Sequence, residues 1–510
     1  MRNNRKEKVG KNLFYGFSSQ LVLTIIPFIS RTVFLKTLGA EYLGIGSLFN
    51  SILTVLSLAE LGIGNVVVYS LYKPIAEDDR DRISSLVNFY KKVYRLIIFV
   101  ILIFGLLIFP FLGYIVNLPS SFNNAKYYFL LLLLNTVFSY VNIYKISVIR
   151  AYQNQYVISI YTTIGTIAMN LLQIVFLFLT KNYAIYLFIQ MVSTLGINYF
   201  LSRKAEKDYG FIKNKSNEIN KIEQKEIFKN TLSMMKYKIG GVLLNSTDNI
   251  YISMFVGTIT VGYFNNYIAL QSVLNKIVLM IQEAFTPTVG NINAKESYEY
   301  KYETFKYLSY LFFYIATVFS VGFYLVASEI IYFWLGVEYI LSDFSILALT
   351  INFYLPTVLQ PVWIFRNTNG LFNRTKNVLL YAAILNIFLS YFLGKYFGLS
   401  GIIVATSISR LLTSFWYEPY FLYKDYFIKD RVVDYFINIF KTISIIVFSC
   451  TLIQIFCNLF INRLIILILK SILSVMIPSI TFFFFYDINL SRKMTTKFNL
   501  NNIINLFKRK

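Results

Sequence analysis

Histidine is absent from this 510-residue sequence. Its absence excludes histidine-based catalytic triads, histidine metal centres and histidine proton relays. Cysteine is almost as rare, because the chain has only Cys450 and Cys457, seven positions apart in one late apolar segment. Such a pair predicts no disulfide framework, and packing or lipid contact is the expected role of both thiols.

Charged residues are also scarce, at 14% of the chain, whereas hydrophobic residues reach 56% and the mean hydropathy is +0.58. Apolar runs long enough to cross a bilayer recur along the whole sequence. The predicted spans are 13–36, 42–72, 93–116, 127–149, 156–180, 182–202, 231–256, 259–288, 306–333, 340–365, 377–397, 399–423, 434–460 and 464–486. The sequence therefore predicts an all-α polytopic membrane protein with about 14 transmembrane helices.

The net charge of +23 could indicate a nucleic-acid partner, so the positions of the basic residues along the chain have to be considered. Of the 48 Lys and Arg residues, 37 lie in loops or near span ends on the N-terminal side of the membrane. Only five lie in loops or at span ends on the opposite side, namely Lys36, Lys126, Lys181, Lys395 and Arg463. This asymmetry is the positive-inside pattern. We expect both termini in the cytoplasm, contact with anionic lipid headgroups, and no nucleic-acid partner.

A long polar segment separates the first six predicted spans from the next six. The predicted domains are an N-terminal six-helix lobe (1–202), a cytoplasmic linker (203–229), a C-terminal six-helix lobe (230–424), two additional transmembrane helices (425–490) and a basic cytoplasmic tail (491–510). An even number of spans in each lobe makes the lobes parallel repeats, related by an axis along the membrane normal.

Glycine spacing supports the repeat. Sliding the chain by 218 positions places Gly39 on Gly257 and Gly44 on Gly262. Both pairs fall on a short external turn between the first two spans of a lobe, as repeated hairpins require. We therefore expect the two lobes to begin with equivalent helices.

Polar residues line one face of the first helix of each lobe. They are Gln20, Thr24 and Arg31 in the first lobe, and Lys238, Asn245 and Asp248 in the second. Other spans carry Glu60, Lys276, Glu283 and Arg410. Ionisable groups at membrane depth usually face a bundle interior or a water-filled cavity, so a cavity between the lobes would collect these faces. Internal ion pairs, and snorkelling of residues near span ends such as Arg31 and Glu283, remain the alternatives.

Two segments resemble the polysaccharide flippases of the MOP exporter superfamily, the Wzx-type translocases of O-antigen and capsule. Leu-Gly-Ala-Glu-Tyr-Leu-Gly at 38–44 and Glu-Leu-Gly-Ile-Gly at 60–64 carry the resemblance in residues 28–73. The segment TDNIYISMFVGTITVGYFNNYIAL repeats it in the second half, where Asp248 occupies the acidic position usual in that segment.

The resemblance implies two six-helix lobes around a central cavity, as in MATE and MOP transporters, that opens alternately to either side of a bacterial plasma membrane. The cargo would be an undecaprenyl-diphosphate-linked oligosaccharide for capsule, O-antigen or another surface polysaccharide. Arg31, Lys238, Lys276 and Arg410 would bind the diphosphate, because cations at membrane depth replace its hydration. Gln20, Thr24 and Asn245 would line the cavity, while Asp248, Glu60 and Glu283 would bind a coupling H⁺ or Na⁺. No metal and no other cofactor is expected.

Several alternatives stay open. A lipid II flippase of the same fold is compatible with the charge pattern. A multidrug antiporter of that fold would favour acidic residues, whereas here the basic residues within spans outnumber the acidic ones. A membrane polysaccharide polymerase or ligase fits less well, because the predicted external loops are short and contain no histidine. We thus expect a monomeric transporter rather than an enzyme, with membrane lipids, glycosyltransferases and a polymerase of the same pathway as its partners.

Overall fold

The structure is a computed structural model, and all of its regular elements are helices. It describes residues 2–60, 63–115, 125–213, 219–369, 371, 375, 377–427 and 431–486, without the side chains of 2–14, 17, 21, 59, 65, 114, 115, 222, 223, 226, 229–234, 236–238, 294 and 295. No β-strand occurs within these ranges. The predicted all-α class is confirmed, while the predicted tail at 491–510 lies outside the described residues.

The chain separates into two compact units, residues 1–265 and 266–510. The first unit holds α1 (Arg2–Leu38), α2 (Ala40–Leu56), α3 (Ile63–Ala76), α4 (Arg80–Ile108), α5 (Leu112–Ile115), α6 (Ala125–Tyr140), α7 (Ile143–Ala151), α8 (Gln155–Thr180), α9 (Tyr183–Asp208), α10 (Lys221–Ser246) and α11 (Asp248–Phe255). Helices α10 and α11 pack on α2, which groups them with the first unit although their sequence opens the predicted second lobe.

Helix α12 (Thr258–Lys295) crosses the boundary between the units. The second unit continues with α13 (Tyr298–Leu335), α14 (Asp343–Val358), α15 (Gln360–Thr368), α16 (Val378–Leu412), α17 (Ser414–Asp425), α18 (Val432–Cys457) and α19 (Arg463–Phe485). Helix α13 is its central element, because α14, α15, α18 and α19 all pack against it.

Ten helices in the described ranges are long and apolar enough to cross a membrane, and the bent pair α6–α7 makes an eleventh. The predicted spans 42–72 and 231–256 fall on the broken pairs α2–α3 and α10–α11. Two further predicted spans fall on α16 and α17, where the left-handed φ of 59° at Gly398 interrupts α16. Each predicted span therefore coincides with a helix, with part of one, or with a pair of helices.

Glycine backbones allow α2 and α12 to touch at the position where the sequence repeat begins. An added Cβ on Gly44 would overlap the carbonyl oxygen of Thr258, and one on Gly262 would overlap that of Ala40. Under the 218-residue shift Ala40 corresponds to Thr258, so the two contacts are reciprocal. Gly39 and Gly257, which precede these helices, both have positive φ, at 87° and 125°. The two helix ends thus meet through equivalent residues.

The two C-terminal helices α18 and α19 are attached to the second unit by apolar and polar contacts. Both cysteines are free and lie buried on α18, in an apolar cluster that includes Val321 and Leu325 of α13. Lys470 of α19 forms an ion pair of 2.8 Å with Glu329 of α13. The expectation of packing rather than disulfide formation is therefore confirmed for the cysteines, and Lys470 has an internal counter-charge.

Candidate functional site

A polar pocket of about 330 Å³ lies inside the first unit, among α1, α2, α6, α8 and α9. Its lining residues are Pro27, Arg31, Phe34, Tyr42, Leu43, Gly46, Ser47, Asn50, Leu132, Met169, Asn170, Gln173, Tyr183, Tyr186, Leu187 and Gln190. Arg31 is the single ionisable Arg, Lys, Asp or Glu among these described lining residues. The pocket therefore combines one cation with amides, hydroxyls and aromatic rings. We refer to it as the Arg31 pocket.

Arg31 reaches the pocket from α1, one helical turn after Pro27. Its Nη2 atom is shielded from solvent, and the Tyr186 hydroxyl lies within electrostatic range. A guanidinium has five N–H donors in a planar fork, which suits a phosphate better than it suits a neutral group. Arg31, predicted from the sequence as an anion-binding residue, thus occupies a cavity in which an anion would find a fixed cation.

Aromatic contacts hold the wall of the Arg31 pocket. The ring of Tyr183 packs edge-on against Phe34, Tyr42 and Tyr128, with centroid distances of 5.6, 5.2 and 4.9 Å. Gln173 donates a hydrogen bond of 3.2 Å to the backbone oxygen of Tyr186, which ties α8 to α9. The rings and the amide fix the helices around Arg31, so the cation is held by a packed wall rather than by a mobile loop.

Glu60 lies in a second, smaller cavity of the same unit, of about 120 Å³. Tyr94, Ser147 and Arg150 share the lining with it. Gly64 keeps this cavity open, since a Cβ there would lie 3.3 Å from Oε1 of Glu60. A carboxylate and a guanidinium from another helix thus line one cavity, which supports either an ion pair or an exchangeable cation site.

The other predicted polar residues of the first unit have simpler surroundings. Thr24 donates to the backbone oxygen of Gln20 at 2.8 Å, and the Gln20 side chain is exposed. Asn245 is exposed and donates to the oxygen of Gly241 at 2.7 Å. Asp248 is 8% exposed and starts α11, where the positive end of the helix dipole favours a carboxylate. The side chain of Lys238 lies outside the described residues.

The sequence reading missed a chain of amides beside Asp248. Asn249 donates to the Ser51 hydroxyl at 2.9 Å and accepts a hydrogen bond of 3.0 Å from Asn265. The chain joins α2, α11 and the first part of α12. Hydrogen bonds between side chains commonly stabilise the packing of membrane helices, and these bonds connect α2, α11 and α12.

Lys276, Glu283 and Arg410 belong to the second unit. Lys276 is half-buried and Glu283 is exposed on α12, and Arg410 lies in the last turn of α16 before the break at Thr413. None of the three lines the Arg31 pocket. Their predicted roles in binding and coupling therefore remain predictions.

A buried ion pair in the second unit was not predicted. Nη1 of Arg366 on α15 lies 2.8 Å from Oε1 of Glu418 on α17, and the side chains are 4% and 0% exposed. The indole N–H of Trp363 donates to the other carboxylate oxygen, and Arg410 acts electrostatically on the same group. The sequence signal was present, because Glu418 lies inside the predicted span 399–423 and Arg366 follows the predicted span 340–365.

The first unit has a similar pair between the corresponding spans. Lys145 on α7 lies 2.6 Å from Glu206 on α9, and Lys213 approaches the same carboxylate at 3.0 Å. In each half the fourth predicted span falls on two helices, and a basic residue of the second helix meets a glutamate on a helix that carries the sixth span. Glu206 itself lies beyond the end of its predicted span, 182–202. These pairs join helices within each unit, and neither of them lines the Arg31 pocket.

Comparison with known proteins identifies both a family and a fold. The model of the polysaccharide biosynthesis protein family matches residues 9–293. The structure is similar to that of the lipid II flippase MurJ in an inward closed conformation, with a TM-score of 0.70 and 16% identity over 93% of this chain and 99% of that one. No curated protein sequence matches.

Two MATE transporters are similar over the larger part of the chain. An inward-facing MATE family transporter of the MOP superfamily has a TM-score of 0.60 and 14% identity, over 81% of this chain and 95% of that one. A mutant form of the Vibrio cholerae MATE transporter VcmN has a TM-score of 0.56 and 11% identity over the same shares. At these identities the likeness shows the fold alone, which is the multi-pass helical fold of these transporters.

Proposed function

Because the chain belongs to the polysaccharide biosynthesis protein family, we propose that it moves an undecaprenyl-diphosphate-linked oligosaccharide across the bacterial plasma membrane. Movement is from the cytoplasmic to the outer leaflet by alternating access, and it supplies the synthesis of capsule, O-antigen or another cell-surface polysaccharide. Both termini and the 203–229 linker are cytoplasmic under this proposal. Family and fold are those of transporters and not of enzymes.

The observation that carries the proposal is the Arg31 pocket. A diphosphate must lose its hydration when it leaves the headgroup region, and a cation at membrane depth offsets that loss. Arg31 provides the cation, and the side-chain amides and tyrosine hydroxyls around it provide hydrogen-bonding groups for the sugar next to the diphosphate. Aromatic rings add amphipathic walls on which a sugar ring packs. Lys276 and Arg410 would bind the anion at other stages of the movement.

The same pocket weighs against the multidrug antiporter. A cationic drug needs a carboxylate as its counter-charge, and the described lining of the Arg31 pocket contains none. A lipid II flippase is the closer alternative, because lipid II is also a diphosphate-linked saccharide and the MurJ fold covers most of this chain. The family match to polysaccharide biosynthesis proteins favours the oligosaccharide over lipid II.

Coupling to an H⁺ or Na⁺ gradient is part of the proposal. Asp248 is buried at the start of α11, and Glu60 shares a cavity with Arg150. A buried carboxylate is stable only when it is protonated, paired or bound to a cation, and alternation among these forms links an ion to a change of state. Glycosyltransferases and a polymerase of the same pathway are the expected partners of a monomeric exporter.

Export by variants of Arg31 tests the proposal in cells. Arg31→Gln should reduce surface polysaccharide by at least tenfold while the protein remains in the membrane, and Arg31→Lys should retain part of the export. Lys36→Gln is the matched control, since Lys36 is an exposed basic residue at the end of the same helix. Full export by Arg31→Gln would contradict the proposed anion site.

A further inference from the structure

A separate cavity of about 220 Å³ lies inside the second unit, at the beginning of α13 and α18 and the end of α17. Its lining residues are Tyr302, Phe305, Lys306, Ser309, Tyr310, Phe313, Tyr423, Asp434, Tyr435, Ile437, Asn438 and Lys441. None of them belongs to the predicted anion or coupling sites. The volume is smaller than the roughly 300–1,000 Å³ of sites for drug-sized ligands, so a single headgroup fits it better than a glycan does.

Basic side chains gather at this cavity. Lys306 and Lys441 line it and are exposed, and Arg431 stands over the ring of Tyr302 with its Cζ 4.7 Å from the ring centroid. Lys306 approaches the same ring, with Nζ at 5.5 Å. Among the described lining residues Asp434 is the single carboxylate, so the cations are in excess. The excess of positive charge at the cavity therefore favours the binding of an anion.

The floor of the cavity is aromatic and packed. Phe305 lies 5.6 Å from Tyr423 and 6.0 Å from Tyr435 between ring centroids. The hydroxyl of Tyr435 is engaged, because it donates to the backbone oxygen of Val358 at 2.7 Å. The rings thus form an apolar base, and the lysines form a basic rim above it.

Exposed apolar residues of α18 continue from the cavity along the predicted span 434–460. Ile437 lines the cavity and is 46% exposed, and Phe440, one turn further, is 69% exposed. A ligand with an anionic head and apolar tails would place its head on the rim and its tails along this exposed side. The free anions of the cytosol have no such tails, so this side favours a lipid.

We propose that this cavity binds the phosphate headgroup of an anionic phospholipid from the bilayer leaflet at the start of α13 and α18. The charge distribution assigns that leaflet to the cytoplasm, where anionic lipids attract basic residues and basic pockets between transmembrane helices bind their headgroups. Lys306 and Lys441 hold the phosphate, the tyrosine rings support the glycerol, and the apolar side of α18 receives the acyl chains. The bound lipid fastens α18 to α13.

Purified protein with added lipid tests this site without any transport assay. The probe is phosphatidylglycerol, with phosphatidylcholine as the neutral control, and the readouts are lipid retained in native mass spectrometry and the melting temperature. We expect Lys306→Gln/Lys441→Gln to weaken phosphatidylglycerol binding about 25-fold, from roughly fivefold per lysine at an anionic surface. Lys306→Arg/Lys441→Arg should keep the binding. Lys395→Gln/Lys424→Gln removes equal charge from exposed positions outside the cavity and should also keep it.

Three results would overturn the proposal. The first is equal binding of phosphatidylglycerol by the glutamine double variant and native protein. The second is equal binding of phosphatidylcholine by native protein. The third is displacement of phosphatidylglycerol by equimolar undecaprenyl phosphate, which would assign the site to a carrier lipid. If the double variant melts lower than native protein in phosphatidylcholine, each single glutamine variant is measured in its place, and unchanged binding in both counts against the site. Loss of export in Arg31 variants has no bearing on this outcome.

Discussion

Replacing Arg366 by methionine tests the buried ion pair of the second unit. The substitution removes the guanidinium that lies 2.8 Å from Glu418 and leaves a carboxylate whose side chain is fully buried. Breaking a buried pair from one side costs about 3–5 kcal/mol, because the remaining charge loses its compensation. The indole of Trp363 still donates to Glu418, which places the expected loss at the lower end of this range. We expect a melting temperature lower by several degrees in detergent.

Two comparison variants separate charge from packing. Arg366→Met/Glu418→Leu removes both charges and should recover most of the lost stability, since apolar replacement of a whole buried pair is often neutral. Lys470→Met breaks the ion pair between Lys470 and Glu329, whose side chains are 18% and 17% exposed, respectively. This substitution should lower stability less than Arg366→Met, because water reaches the remaining carboxylate. Equal melting temperatures for native protein and Arg366→Met would refute the reasoning, as would a double variant less stable than Arg366→Met.

Two further predictions concern the helix contact and the coupling residues. Gly44→Ala and Gly262→Ala should each lower stability by about 1–3 kcal/mol in thermal unfolding, because the new methyl group overlaps a backbone carbonyl. Gly16→Ala, with open space around its Cβ position, is the control, and an equal effect there would contradict the close contact. Asp248→Asn should abolish the dependence of transport on the ion gradient in vesicles. An unchanged dependence would show that Asp248 has a structural role instead. Glu60→Gln is measured in the same assay, because Glu60 is the second coupling candidate.

The helices and the glycine repeat could be predicted because both depend on local sequence. Apolar runs of membrane-spanning length define helices without reference to the rest of the chain. Gly39 and Gly257 were recognisable since a turn with positive φ favours glycine wherever it lies. The reciprocal contact of Gly44 and Gly262 with the opposite helix was not predicted, because it depends on how the helices pack.

Which residues form the ion pairs could not be predicted, because the two partners come from distant parts of the chain. Arg366 and Glu418 are separated by 52 positions, and Lys470 and Glu329 by 141. Lys470 lies inside the predicted span 464–486 and belongs to the excess of basic residues that favours an anionic cargo. Its pairing with Glu329 removes it from that argument. The packing of helices α10 and α11 on α2 is likewise a tertiary contact, which the pattern of predicted spans does not show.

The candidate site was predictable in residue type and only partly in position. Arg31 was identified because a cation inside an apolar span has a high free-energy cost, so such residues usually have a functional role. Its pocket depends on Tyr183, Tyr186 and Gln173, which are ordinary residues of their own helices and gain meaning only from packing. Sequence spacing shows which residues share one helix face, and it does not show which other faces meet that face.

The most direct test of the proposed function is leaflet movement of a lipid-linked saccharide by purified protein in vesicles. Undecaprenyl-diphosphate-linked oligosaccharide is incorporated, and its exposure is followed with an added glycan-modifying enzyme that cannot cross the membrane. We predict rapid exposure with native protein and with Lys36→Gln, and at least tenfold slower exposure with Arg31→Gln. Movement of a cationic dye in place of the saccharide, or equal rates for native protein and Arg31→Gln, would contradict the account.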